Sequence, residues 1–442
     1  MQRVYEPWAY GQEPLNTCLW AVESPNLTLP SAQGDADTDI AIIGGGYTGL
    51  TAALHLARAG EGVTLLEAER IGWGASGRNG GFCCLGGGKI SNAALVRAYG
   101  GEGRRAYRDA ERAAVDHVEA MLDDEGIDVD RHSEGETLLA HTPRHWRALL
   151  SDVEALREDY GLAPELIPQD ALRQHGMNGP FRGAMTLPIG FALNPRKYVH
   201  GLAQAALTAG AEIRESSPVT AIAYDGRRFT LQTPEARITA RRIIIATNGY
   251  SSEDVPDWLR ARVLPLQSNI LATRPLSQAE QEAQGWTSAQ MAYDTRHLLH
   301  YFRLLPDGRF LFGMRGGVFA TPRATARLRR KMRADFHAMF PAWAEVEIPH
   351  MWSGLVCLAR NRTPFVGEIP EMPGAFAGLA YHGNGVAMGS YAGRLLADLV
   401  RDRAPDGPYP AAFRDVPRKF PLGRYRRALL LAVNAGLQLA DV

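Results

Sequence analysis

A short, unbroken apolar run opens the interpretable part of the chain. Residues 39–46 read DIAIIGGG, apolar at successive rather than alternate positions, as in a strand buried on both faces. Residues 47–60 follow, with Leu50, Ala53, Leu54 and Ala57 at helical spacing and a stop at Ala59-Gly60, which predicts a helix ended by glycine. Residues 62–68 (GVTLLEA) form the next apolar run. Strand, helix and strand fall within about thirty residues, the length of a βαβ unit. Residues 72–88 are dense in glycine and predict a loop. Helical periodicity covers 93–126, 141–160, 195–210, 321–340 and 385–400. Strand-like runs lie at 212–223, 229–233, 242–247, 263–273, 310–313 and 375–381. Residues 1–36, rich in Pro, Asn and Trp, have no period and predict an irregular lead-in on the surface. No internal repeat or low-complexity tract breaks this order.

The junction of the first strand and helix carries the chemistry. Gly44, Gly46 and Gly49 form GxGxxG, with Tyr47 and Thr48 in the gap. The pattern alone is weak; here it follows a strand, opens a helix and is answered by Glu67 at the end of the next strand. Gly44 permits the tight turn, Gly46 lets backbone approach a pyrophosphate, and Gly49 lets helix pack on strand. The helix start offers unpaired N–H groups and a positive dipole end to phosphate. Glu67 is placed to accept hydrogen bonds from ribose hydroxyls, and its charge disfavours a 2′-phosphate. A bare glycine turn would have to assemble all four elements by chance.

The stretch 74–82 (GASGRNGGF) bears on which dinucleotide is held. A plain nicotinamide domain would continue through further βα units. A second glycine-rich segment instead lets backbone lie against a large flat ring system, which points to FAD. Arg78 reads either as a phosphate partner or as a structural ion pair. Residues 241–250 (RRIIIATNGY) read as a buried strand ending in Thr247-Asn248-Gly249, where a nucleotide fold returns over the adenosine side, or as an ordinary strand and turn.

Charge and cysteine content narrow the classes. The chain's 442 residues include 48 basic and 48 acidic side chains, a formal net charge of zero, so nothing draws it to nucleic acid or an anionic membrane. The basic runs at 327–331 and 424–427 are expected to be solvated helix faces. A hydrophobic content of 45% allows a large core in two associated lobes. Cys18, Cys83, Cys84 and Cys357 form no CxxC pair and no zinc spacing. Adjacent Cys83 and Cys84 read as core thiols rather than a redox pair. The start, MQRVYEPWAYGQEP, lacks a signal peptide's apolar core, and residues 428–440 are too short to span a bilayer. A cytoplasmic protein without a membrane span is expected; oligomeric state is not read.

On these residues the chain resembles the D-amino-acid-oxidase and glycine-oxidase superfamily of FAD enzymes. Within it, the chain most resembles the gamma-glutamylputrescine oxidoreductase branch. The resemblance is carried by DIAIIGGGYTGLTAALHLARAG (39–60), LLEAERIGWGASGRNGGF (65–82), RRIIIATNGY (241–250) and YHGNGVAMGSYAGRLLADLV (381–400). It implies an α/β fold: a Rossmann-like FAD-binding domain of glutathione-reductase type, interleaved with a mixed-sheet α+β substrate domain. The FAD-binding domain would comprise 37–90, 190–260 and 350–405, and the substrate domain 91–189 and 261–349. An irregular N-terminal extension (1–36) and a C-terminal helical tail (406–442) would flank them.

The resemblance also implies roles. Gly44, Gly46, Tyr47, Thr48, Gly49, Glu67 and Ala68 would bind the ADP half. Ala75, Ser76, Arg78, Asn79, Gly80 and Gly81 would lie near the pyrophosphate and flavin ring. Val219 would contact adenine, and Thr247, Asn248 and Gly249 would close the nucleotide site. Gly383, Asn384, Gly385, Val386 and Ala387 would set a helix start at the flavin N1–C2=O edge, where reduction leaves negative charge.

The implied reaction is FAD-dependent oxidation of an amine or amino acid at a C–N bond, on a gamma-glutamyl or polyamine-type substrate. Hydride passes to flavin N5 and the imine is hydrolysed to aldehyde or keto product. No dedicated base is needed if the pocket desolvates the amine. His382, Tyr301 and Arg303 are the catalytic candidates, Arg303 as holder of a distal carboxylate; His297 and His300 are weaker. Two departures from the sarcosine-oxidase pattern matter. Their flavin-tethering cysteine falls at or near Ser353, and no His stands at Gly77-Arg78 where related dehydrogenases tether flavin, so FAD is expected to be non-covalent. Their substrate-binding and oxygen-activating lysines fall near Ala387 and Leu311, leaving oxygen or another electron acceptor open. Alternatives are a D-amino-acid dehydrogenase or sarcosine-oxidase-like enzyme, and a non-catalytic FAD-binding subunit. A flavin monooxygenase would carry a late Gly-Asp turn where this chain has Gly383-Asn384.

Overall fold

The first apolar run lies at the centre of a parallel sheet. In a computed structural model describing residues 1–12, 15–24 and 26–431, strand Gly34–Ile43 pairs in parallel with Ala236–Ile245 on one side and Val63–Leu66 on the other. Ile43 stands level with Ile245 and Leu66, so three strand ends share one edge beneath the glycine turn. Glu212–Arg214 extends the sheet beyond Val63–Leu66, and Ala375–Leu379 with Phe365–Glu368 extends the other side. Alternate residues of the first strand enter different cores. Ile40 and Ile42 meet helices Tyr47–Arg58, Pro195–Thr208 and Ala387–Leu399, whereas Ala41 and Ile43 join Phe229, Leu231 and Trp258. Burial on both faces explains the unbroken apolar run.

A second eight-stranded sheet runs in the order His350–Ala359, Val263–Pro275, Arg309–Arg315, His300–Leu304, Met291–Asp294, Glu136–Leu139, Gly183–Leu187 and Glu165–Pro168. Within it Met291–Asp294 and Glu136–Leu139 pair in parallel, and the other pairings are antiparallel. One face packs on helix Pro322–Met339 through Trp286, Phe302, Phe310, Phe312, Phe336, Phe340 and Trp343. The other face carries Ser268, Ile270, Tyr293, Tyr301 and Arg315 into a cavity.

Several expectations are corrected. The first strand starts at Gly34, not 39, and its early residues are exposed. The run at 212–223 is two strands, Glu212–Arg214 and Ala221–Tyr224, divided by a turn with Ser216 at φ 49. Strand His350–Ala359, expected in the FAD lobe, is hydrogen-bonded along its length to Val263–Pro275. Part of the lead-in is core: Cys18, Leu19 and Trp20 pack on Ile270 and Trp352, and Trp20 Nε1 donates to the Asn79 carbonyl at 2.9 Å. The run 424–427 is not a solvated face. Arg426 is fully buried and grips both Glu253 oxygens at 2.7 and 2.6 Å, while Arg427 pairs with Glu6. Residues 432–442, the end of the expected helical tail, lie outside the described residues.

Candidate active site

The glycine turn is tightened by what stands against it. A Cβ on Gly44, whose φ is +109, would lie 2.9 Å from the Ala246 carbonyl oxygen; one on Gly49 would lie 2.0 Å from the Gly44 oxygen. Both are closer than real side chains come, so strand, turn and helix touch backbone to backbone. Gly46 faces Ser76, whose hydroxyl accepts the Tyr47 N–H at 3.1 Å. Glu67 accepts the Gly45 N–H at 2.7 Å on one oxygen and the Glu69 N–H at 3.0 Å on the other. Each oxygen keeps a second acceptor direction for a ribose hydroxyl. Burial raises its pKa, and the two amides oppose that rise. Ala68, Pro218, Val219, Thr247, Asn248 and Gly249 complete this end. Asn248 Oδ1 accepts the Ala380 N–H at 2.9 Å, tying the turn to the neighbouring strand's end.

The loop after the second strand is held by its own side chains. Asn79 Nδ2 donates to the Ala75 and Ser76 carbonyls at 3.1 Å, and its Oδ1 accepts the Gly81 N–H at 2.7 Å. Gly80 lies close against the Tyr301 ring, where a Cβ would stand 2.8 Å from Cε2. Arg78 lines the cavity and is in no ion pair among the described residues. Its guanidinium donates to the Trp73 carbonyl at 2.7 Å and the Ser353 carbonyl at 3.2 Å, and stacks 4.6 Å from the Trp73 ring centre. Trp73 Nε1 is buried without a partner among the described residues.

The opposite end corrects the catalytic candidates. His382 lines the cavity but both ring nitrogens serve backbone: Nδ1 meets the Gly87 carbonyl at 3.1 Å, and Nε2 accepts the Ala359 N–H at 3.2 Å. Burial lowers its pKa to about 4, so it is a neutral brace. Arg303 is not in the cavity wall. It is fully buried, donating to Leu193 O and to His132 Nε2, each at 2.8 Å. Tyr301 does line the cavity and shares a hydrogen bond with Ser268 Oγ at 2.9 Å; burial raises its phenol to about 12.

Lys89, Arg315 and Tyr293, which sequence reasoning missed, also line this end. Arg315 donates to the His382 carbonyl at 3.2 Å. Burial lowers both cations, Lys89 to about 8. The three residues stand on separate segments with no shared motif, so no signal in the chain joins them. Gly49, Gly81 and Ala387 stay behind the wall: Gly81 backs onto Leu193, and Ala387 begins helix Ala387–Leu399.

One cavity of about 380 Å³ thus joins Glu67 and the glycine turn to the 74–80 loop and to Gly383, Asn384, Gly385 and Val386. Two helix starts border it, neither capped by the side chain preceding it. A carboxylate with spare lone pairs, amide-bearing helix ends, close glycine backbone and an orphaned indole donor together suit a dinucleotide carrying an extended ring. Fold and site define an FAD-binding oxidoreductase.

Residues 39–399 match the family model described as DAO, FAD dependent oxidoreductase. A probable oxidoreductase OrdL from Rhizobium meliloti is 34% identical over 419 residues, covering 93% of this chain and 94% of that protein. The gamma-glutamylputrescine oxidoreductase of Escherichia coli is 31% identical over 406 residues, covering 90% and 91%. The crystal structure of glycine oxidase from Geobacillus kaustophilus has the same fold, with TM-score 0.69 at 21% identity over 87% of this chain and 99% of that one. The chain belongs to the DAO family of FAD-dependent oxidoreductases. Among the described residues no helix is long and apolar enough to cross a membrane, and no group of three or more His, Cys, Asp or Glu is placed to hold a metal ion.

Proposed function

We propose that this enzyme oxidises the C–N bond of an amine that also carries a carboxylate, a gamma-glutamyl diamine being the type. The observation that carries this reading is the pair of cations Lys89 and Arg315 in one cavity wall, with no carboxylate in ion-pair contact among the described residues. Enclosed cations with no carboxylate at ion-pair distance favour an anionic group on the guest. The 31% identity to the gamma-glutamylputrescine oxidoreductase supports the same class.

Bound FAD supplies the two-electron acceptor for the oxidation. Gly44, Gly46, Glu67, Val219 and Thr247 would hold its nucleotide half, and the 74–80 loop with Gly383–Val386 would hold its ring, non-covalently. Arg315 and Lys89 anchor the substrate carboxylate. Tyr301, fixed by Ser268, orients the chain between that anchor and the reacting carbon. The surrounding wall excludes water and so favours the neutral amine. The test is an anaerobic screen in which loss of the yellow absorbance reports reduction. Gamma-glutamylputrescine is expected to bleach the protein at least tenfold faster than putrescine, whose distal ammonium faces two cations. Equal rates with putrescine, or bleaching by glycine and sarcosine alone, would overturn the proposal.

A further inference from the structure

Tyr293 stands on strand Met291–Asp294, lines the cavity and donates its phenolic hydrogen to Glu136 Oε2 at 2.8 Å. Glu136, on the adjacent parallel strand Glu136–Leu139, is 6% exposed and is not part of the cavity wall. In register Glu136 lies opposite Met291, so Tyr293, two residues along, presents the same face and closes over the carboxyl. The phenol therefore stands between a buried acid and the space where substrate sits.

The surroundings set the acid's balance. Lys89 faces Glu136 from the cavity and Glu111 from helix Asn92–Glu125, while the Leu85 amide donates to it. Cys84, Tyr160 and Arg315 face Tyr293. Burial dominates and raises Glu136 to about 7, with the Tyr293 bond, the Leu85 bond and Lys89 opposing. A carboxyl poised there exchanges protons readily at neutral pH.

We propose that Tyr293 and Glu136 form a relay that removes the proton from the substrate's ammonium group. The ammonium N–H passes its proton to the Tyr293 hydroxyl oxygen as the phenolic hydrogen moves to Glu136 Oε2. One N–H and one phenolic O–H bond break; one phenolic O–H and one carboxylic O–H bond form; no electrons are transferred. The amine is left neutral with its lone pair free, and Glu136 becomes the uncharged acid. Tyr293 is the catalytic residue, and Glu136 is a positioning residue acting through it. This rests on the amine reading above and goes beyond desolvation as the source of the neutral amine.

The experiment compares wild-type holoenzyme with Tyr293→Phe and Glu136→Gln, two variants so that loss of folding in one leaves the other. Flavin reduction by gamma-glutamylputrescine is followed anaerobically by stopped flow from pH 6 to 10.5. The wild-type second-order rate is expected to fall below about pH 7; above about pH 8 the loss of the Lys89 charge acts alike on wild type and variants, so variant rates are read relative to wild type at each pH. Each variant should be about 100-fold slower at pH 7.5, within the range of general-base catalysis. Each should then climb about tenfold per pH unit toward the amine's own pKa of roughly 10 and approach wild type there. Unchanged profiles in both variants, or an equal loss at every pH, overturn the relay. Absence of wild-type bleaching by any amine at any pH overturns the amine reading and the relay with it.

Discussion

Gly49 shows how little room one position can have. Its missing Cβ leaves backbone of the helix against the Gly44 carbonyl, so Gly49→Ala must lift the helix from the strand end. We expect a loss of about 2–3 kcal/mol, the upper range for overpacking, read as a lower denaturation midpoint together with weaker FAD retention. At the substrate end, Arg315→Met should raise KM for gamma-glutamylputrescine at least tenfold while leaving the flavin spectrum intact; an unchanged KM would remove Arg315 from carboxylate binding. The expectation of non-covalent FAD, drawn from Ser353 and Gly77-Arg78, makes a chemical prediction: after acid precipitation all the flavin should appear in the supernatant, and a coloured pellet would contradict it. Legibility in the chain followed the same division. Gly44, Gly46 and Glu67 were readable because spacing alone fixes their relation across one turn. Arg303 was expected in the pocket because alternation puts it on the Tyr301 face, but alternation does not show how far along that face the cavity extends. His382 was singled out by its neighbours, yet its two backbone bonds depend on Gly87 and Ala359, which are remote in sequence.

Strands and helices carry their own tests. Strand His300–Leu304 opens with His300, buried between Asp294 at 3.0 Å and Asp335 at 3.3 Å. Burial works against its charge, but the bonds to the two carboxylates outweigh that and raise its pKa above 6.5. Both aspartates are lowered, burial again being outweighed by their bonds to His300 and neighbouring cations. The imidazolium's contribution is therefore complete below pH 6.5 and fades as pH rises through the higher folded value. The carboxylates' contribution is present above 3.8 and fades as pH falls through their lowered values. His300→Gln should lower Tm most between these limits, with the gap narrowing from pH 6 to 9; a constant gap would contradict the assignment. Helix boundaries such as Pro195–Thr208 were legible because Asn194 caps the Arg196 and Lys197 amides and Pro195 opens the helix. Strand Glu136–Leu139 was not, since four residues flanked by irregular chain present no measurable period.

Across the molecule, segments far apart in the sequence are fastened together by two ion pairs. Arg426 is enclosed with Glu253, and Arg427 holds Glu6. Arg426→Met should cost about 3–5 kcal/mol, because Glu253 would be left buried and unpaired. The double variant with Glu253→Gln should regain part of that loss in chemical denaturation; a double variant as unstable as the single one would place the cost elsewhere. Neither partner was predictable, since basic runs are usually solvated and the partners lie 173 and 421 residues away in the sequence.

The parallel pairing of Gly34–Ile43 with Ala236–Ile245 has a consequence for biosynthesis. A ribosome releases the first of these strands long before the second, and Ala375–Leu379 later still. Until then an apolar strand has an open edge, the condition under which nascent chains associate wrongly. Chaperone supply during translation should therefore govern the yield of functional protein, and flavin should enter only after Gly383–Val386 has left the exit tunnel.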